Sequence, residues 1–184
     1  YKTIVIDPPW PVQTGFTYPS DGNKVIPCPY PLMSKQDILD FPLPKFADDN
    51  CDLFVWTTHG MLLFTYDVIK KWGFKYNIQL TWNKITGLNS FGFHRNTELV
   101  LYAYKGRTNR IMSKNTIKTV FTEKATRHSA KPKIFYDMIR KVTAEPRIDI
   151  FARRKREGFD VWGNVYVYSF NLTWRSIRFA RAGR

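Results

Sequence analysis

The sequence predicts an α/β fold, a sandwich in which helices cover a mixed, mostly parallel central sheet. Three observations carry this. Apolar runs of strand length alternate with segments of helical periodicity. Two of those runs, Ile4-Val5-Ile6 and Ile148-Asp149-Ile150-Phe151, are rich in β-branched residues and stop abruptly at charge, as buried strands do. The 184 residues make one domain by size and suffice to bury a substantial core.

The elements follow in order. Residues 2–6 read as a strand ended by Asp7-Pro8-Pro9-Trp10. The prolines carry no amide hydrogen and fix φ, so the turn is stiff and neighbouring carbonyls stay free. Such a strand end offers a carboxylate, a carbonyl and an aromatic face, at the edge where open α/β sheets bind ligands. A flat molecule with an amino group suits it, its ring on Trp10 and its amine donating to Asp7 and a proline carbonyl. The plainer alternative is a simple turn with Trp10 in the core. Residues 11–31 read as a long loop, because seven of the eleven prolines fall at or before Pro31 and Gly15 and Gly22 add breaks.

Ser34 with Asp37 starts a short helix that Pro42 and Pro44 end. Leu53 to Thr57 is a buried strand. Residues 60–72 show helical spacing through Leu62, Leu63, Tyr66 and Ile69, with Gly73 as the stop. Ile78 to Trp82 and Glu98 to Tyr104 read as strands, separated by a loop marked by Gly87, Asn89, Gly92 and Asn96. Lys131 to Val142 is a helix with Pro132 in its first turn. The last strand, Ile148 to Phe151, runs into Arg153, Arg154, Lys155 and Arg156.

Composition narrows the function. The chain is 43% apolar, and none of its apolar runs approaches the roughly 18 residues of a membrane helix. The sequence begins at Tyr1 and no secretory leader is expected in it. Cys28 and Cys51 make no disulfide framework, and His59, His94 and His128 are too scattered for a metal-ligand spacing, so a reducing, cytoplasmic setting is expected. Lys and Arg number 29 against 15 Asp and Glu, a net charge of +14 that favours a polyanionic partner. Neither GxGxxG nor a Walker-type phosphate loop occurs.

Six strings then fall in sequence. They are Asp7-Pro8-Pro9-Trp10, Phe54-Val55-Trp56-Thr57-Thr58, Trp82-Asn83-Lys84, Arg95-Asn96-Thr97-Glu98-Leu99, His128-Ser129-Ala130-Lys131-Pro132, and Phe151-Ala152-Arg153 ahead of Trp162-Gly163-Asn164. Together they resemble the MT-A70 family of adenine-N6 methyltransferases over residues 1–164, in its compact prokaryotic or phage form. The resemblance implies a Rossmann-like sheet dependent on S-adenosylmethionine (SAM), with a permuted order that puts the catalytic motif before the cofactor strand. It implies methyl transfer to adenine N6 in DNA, with RNA, or a catalytically inactive nucleic-acid-binding partner subunit, as alternatives.

The resemblance also assigns roles. Asp7, Pro8, Pro9 and Trp10 are catalytic, and Asp7 also lies against the cofactor. Lys131 meets the methionine carboxylate and Asp149 the ribose hydroxyls, while Arg153 and Asn164 are further cofactor positions. Plainer readings make Lys131 a solvated helix-start lysine and Asp149 an ion-pair partner of Arg153 or Arg147. Lys84, Arg95, Lys105, Arg107 and Arg110 would flank the target strand. A homo- or heterodimer fits, located in the cytoplasm or, in a eukaryote, the nucleus. Two positions depart from the pattern: Val165 stands where the family has Glu, Asp or Gln, and Thr97 where many members have histidine. Residues 165–184 form a separate basic, aromatic segment. Its Arg175, Arg178, Arg181 and Arg184 would align along one side of a helix, either as a phosphate-binding stripe or as a solvated face.

Overall fold

The computed structural model describes residues 1–11, 31–90, 92–107, 117–126 and 130–163, with the side chains of 86–90 outside that description. Seven strands form one sheet in the order β5-β3-β4-β2-β1-β6-β7. They are β1 Thr3–Ile6, β2 Cys51–Thr57, β3 Lys75–Ser90, β4 Phe93–Lys105, β5 Val120–Thr122, β6 Arg147–Ile150 and β7 Asp160–Trp162. β1 pairs in parallel with β2 and β6, β6 with β7, and β3 with β5. Only β4 runs against its neighbours, because it returns from β3 as a hairpin. The sheet is therefore mixed and mostly parallel, as the sequence predicts.

β1 is buried along its whole length, which is why its residues are continuously apolar or β-branched instead of alternating. Successive side chains go to opposite faces. One face carries Ile4, Ile6, Leu53, Val55, Leu101, Ile148 and Ile150, and packs against α1 (Lys35–Leu39) and α2 (Leu62–Lys71). The other carries Val5, Phe54, Trp56, Leu80, Trp82 and Val100, under Phe135, Tyr136 and Ile139 of α3 (Lys133–Val142).

Helix ends follow from local chemistry. Ser34 Oγ accepts the Asp37 amide at 3.1 Å while Asp37 accepts the Ser34 amide at 3.3 Å, a capping box at the predicted start of α1. α2 stops at Gly73, whose φ of 81° lets its amide bond Lys70 and the Phe74 amide bond Ile69, a Schellman motif. α3 has no side-chain cap of its own, since Pro132 precedes it. Glu123, just beyond β5, supplies both oxygens instead, to the amides of Lys133 at 2.8 Å and Ile134 at 2.9 Å.

Three readings need correction. The region marked by Gly87, Asn89, Gly92 and Asn96 is not a loop, because β3 and β4 continue through it as a long hairpin. The turn residues sit at the tip and in a bulge, where β3 spends three more residues than β4 between the pairs Asn83–Thr97 and Leu88–Arg95. α3 begins at Lys133, with Lys131 in the connection before it. β5 and β7 had no counterpart in the sequence reading, since three-residue strands carry too little periodicity. The long loop expected at 11–31 lies outside the described residues from 12 to 30, as do Cys28, Arg110, His128, Ser129, Asn164 and residues 165–184.

Candidate active site

The chain leaves β1 towards β2 and leaves β6 towards β7, on opposite sides of their shared ladder. The carboxyl ends of β1 and β6 therefore diverge, which makes the crevice where α/β sheets bind ligands. Asp7 follows β1 there, and Phe151 to Arg153 follow β6. The Asp7 amide still donates to Ile150 at 3.3 Å, and Pro8, with no amide hydrogen, ends the ladder. At the end of β6, Phe151 has φ 62°, and Gly163 crosses so close above it that a Cβ would lie 2.8 Å from the Phe151 Cα. Only glycine fits there.

A cluster of two acids and two lysines occupies this edge. Lys131 Nζ lies 3.2 Å from Asp7 Oδ1 and 2.8 Å from Glu98 Oε2, and Lys84 Nζ lies 3.4 Å from Glu98 Oε1. The Lys131 ammonium also sits 4.6 Å from the centroid of the Trp56 ring, a cation–π contact. Its backbone carbonyl accepts from Arg154 and Arg156, each at 3.3 Å, so the basic run after β6 fixes the connection that carries it. Burial pushes the Asp7 carboxyl above its usual range, against the pull of Lys131. Burial also opposes ionisation of Glu98 and Lys131. Lys131 and Lys84 nonetheless hold Glu98 below its ordinary value, and the two carboxylates hold Lys131 above its own.

Asp149 lies one strand over, on the same sheet face, and is 2% exposed. Tyr136 hydrogen-bonds it, and Arg156 Nε is 3.6 Å from its Oδ2 with the guanidinium 3.5 Å above the Tyr136 ring centroid. Burial pushes its carboxyl up to about 7, only partly offset by Tyr136 and Arg156. Its ion pair is with Arg156. Arg147 is engaged by Glu145 at 2.7 Å and by Thr143 Oγ1 at 3.1 Å. Arg153 is exposed at the β6 end, where its charge still reaches Asp7.

Two of the roles carried by the sequence are changed by this geometry. Trp10 offers no open stacking face: it is 5% exposed, edge-on to Phe64, and its Nε1–H donates to the Trp56 carbonyl at 3.0 Å. The gain from burying a large ring with its N–H satisfied puts it in the core. Nor are the proline carbonyls free, since Pro8 accepts the Trp10 amide at 2.8 Å and Pro9 the Met33 amide at 2.9 Å. Each retains a second lone pair.

The cations expected beside a target strand divide into two groups. Lys84 belongs to the cluster, and Arg95 is exposed farther out on the hairpin. Lys105 pairs with Cys51 at the start of β2, and the Arg107 amide bonds Asn50, so both lie at the opposite edge of the sheet. β4 runs antiparallel, so its two ends serve different edges. Glu98 is a site residue to which the sequence patterns assign no role. The signal available was a lone acid entering the apolar run Leu99-Val100-Leu101.

Chemically, the cluster offers one cation between two acids, which fits a ligand bearing both a carboxylate and a positive charge. Among the described residues, Trp56 Nε1 and Thr58 Oγ1, within and just after β2, are buried without hydrogen-bond partners. Such groups are ordinarily bonded, which is consistent with a polar guest at this edge. Among the described residues, no helix is long and apolar enough to cross a membrane.

Comparison with known proteins agrees with the geometry. The MT-A70 family model matches residues 1–165. The type II methyltransferase M.MunI of a Mycoplasma species is 26% identical over 178 residues, covering 89% of this chain and 76% of that protein. The human N(6)-adenine-specific methyltransferase METTL4 is 26% identical over 185 residues, and the mouse protein is 24% identical. This chain spans 37% of the length of each METTL4 protein.

Proposed function

The chain belongs to the MT-A70 family, and on that premise we propose that it transfers a methyl group from SAM to the N6 amine of adenine in a nucleic acid, with DNA the first polymer to test. The observation that carries this reading is the Asp7–Lys131–Glu98 cluster at the diverging ends of β1 and β6. When bound, SAM supplies an electrophilic methyl on a positively charged sulfur.

The chain's residues do the rest. Adenine N6 is a weak nucleophile because its lone pair is delocalised into the ring. Asp7 and the second lone pair of the Pro8 carbonyl accept the two amine hydrogens, drawing them out of conjugation and aiming the lone pair. The Asp7 carboxylate would also favour the positive charge of the donor. It need not be a strong base, since an amine sheds a proton readily once alkylated. Lys131 turns from Asp7 to the methionine carboxylate, with Glu98 keeping hold of its other side. Asp149, now bonded to Tyr136, would hold the ribose hydroxyls, and Arg153 and Asn164 would be further cofactor contacts. Trp10 supports the turn from beneath and does not stack on the base. A duplex target must be flipped out of its stack to reach this crevice.

Residues 1–164 form the catalytic unit in this reading, supported by the extent of the family match. The basic segment at 165–184 assists in holding phosphates. Incubation with labelled SAM and a panel of single- and double-stranded DNA and RNA, with the modified nucleoside identified by mass spectrometry, tests the proposal. N6-methyladenine in one polymer supports it and names the polymer. Methyl on another atom, or on none, overturns it.

A further inference from the structure

We propose that Ile85 is the contact for the nucleobase next to the target adenine, presented on a bulge whose backbone is strained to hold it there. The inference rests on the function proposed above and adds a residue to its substrate site. β4 pairs with β2 only from Leu99 onward. Its earlier residues, with the far part of β3, therefore extend past the sheet as a two-stranded arm, from the same edge that carries Asp7. The bulge lies at the root of that arm, between the pairs Asn83–Thr97 and Leu88–Arg95.

Ile85 in this bulge has φ 66°. The left-handed region is costly for any residue with a Cβ and is a genuine outlier for a β-branched one. Strain of this kind persists only where surrounding structure enforces it, and it gathers at functional positions. Here Asn83 enforces it. Its Oδ1 accepts the Ile85 amide at 3.0 Å and Asn96 Nδ2 at 3.3 Å, tying the bulge to the facing strand. The result is an apolar side chain left 56% exposed, more than half of its surface gaining nothing from burial.

Its position gives the exposure a use. Lys84, the preceding residue, contacts Glu98, which contacts Lys131, which contacts Asp7. Ile85 therefore stands one step outside the cluster that receives the target amine, where the adjacent nucleotide of the same strand comes. His94 and Arg95 are exposed farther along the arm, as is Phe93 at 83%, and the chain carries +14 overall. Cations for phosphates interleaved with apolar side chains for base faces are how proteins grip a nucleic-acid strand around an extruded base.

A chemical double-mutant cycle tests this. Methyl transfer is measured on an oligonucleotide with intact neighbours and on two others, each with an abasic site on one side of the target adenine. The enzymes are wild type, Ile85→Ala, and Ile85→Asn, which tolerates the left-handed backbone without an apolar face. Wild type should lose about tenfold in kcat/KM on one of the abasic substrates. Both variants should show that loss already on the intact substrate and lose little more on the abasic one, with SAM affinity unchanged by calorimetry. Variants that discriminate intact from abasic substrates as strongly as wild type overturn the role of Ile85. If wild type itself methylates none of the adenines, the underlying function fails, and the role of Ile85 fails with it.

Discussion

The two faces of the sheet are built from alternate residues of the same strands, and they differ in kind. Towards α1 and α2, the central strands present Ile4, Ile6, Leu53, Val55, Ile148 and Ile150, none more than 3% exposed. Towards α3 they present Val5, Phe54, Trp56 and Asp149, and the edge of that face adds Asp7 and Glu98. The first face gains free energy from every methylene it removes from water. The second spends some of that gain to bury ionisable groups, which persist only because each is paired. Aliphatic packing is concentrated on one side and buried ionisable groups on the other, so substitutions on the two sides should separate into distinct effects.

The largest expected effect sharpens the contrast through pH. The Asp149 carboxyl moves from 3.8 to about 7 on folding, so between those values the native state binds more protons than the unfolded chain. Stability contributed by this group therefore falls as pH rises through that window, by on the order of 4 kcal/mol in all. Denaturant melts of wild type and Asp149→Asn should diverge in slope across that range, with the variant flatter. Equal pH dependence would break the assignment. The aliphatic face offers the opposite case. Leu53→Ala should cost about 3 kcal/mol of stability by leaving a cavity, while kcat per folded molecule stays at the wild-type value. A loss of kcat without a loss of stability would show that the two faces are not separable.

A smaller effect is expected at Lys131. Lys131→Ala should weaken SAM binding roughly thirtyfold, about 2 kcal/mol, as measured by calorimetry. It should also raise the Asp7 carboxyl further, since the charge opposing its burial is removed, and so move the acid limb of the rate profile to higher pH. The smallest is at the α1 cap on the stabilising side. Ser34→Ala should cost about 1 kcal/mol in melting and leave transfer unchanged.

The aliphatic side was also the more legible in sequence. β1, β2, β6, the α1 capping box and the Gly73 stop follow from patterns of a few neighbouring residues, and the structure has them where those patterns fall. The functional side depends on partners far apart in the chain. Glu98 meets Lys131 across 33 positions and Glu123 caps α3 across 10, distances at which no periodicity operates. The site end of β1 was readable because a proline pair follows an acid at the close of an apolar run. Which end of β4 faces that site was not, because it depends on β4 being the reversed strand, and so Lys105 and Arg107 were grouped with the wrong edge. Trp10 illustrates the remaining gap. A tryptophan beside a ligand-binding turn can serve the ligand or the core, and only the Trp56 carbonyl waiting for its N–H decides between them.

The central claim is that Asp7 grips the target amine at this edge, and Asp7→Ala tests it most directly. Purified variant and wild type are compared for methyl transfer to an adenine-containing oligonucleotide, with SAM binding measured by calorimetry and folding by thermal melt. Transfer should fall by at least about 100-fold, while SAM affinity and melting stay close to wild type. Full transfer by the folded variant would contradict the account.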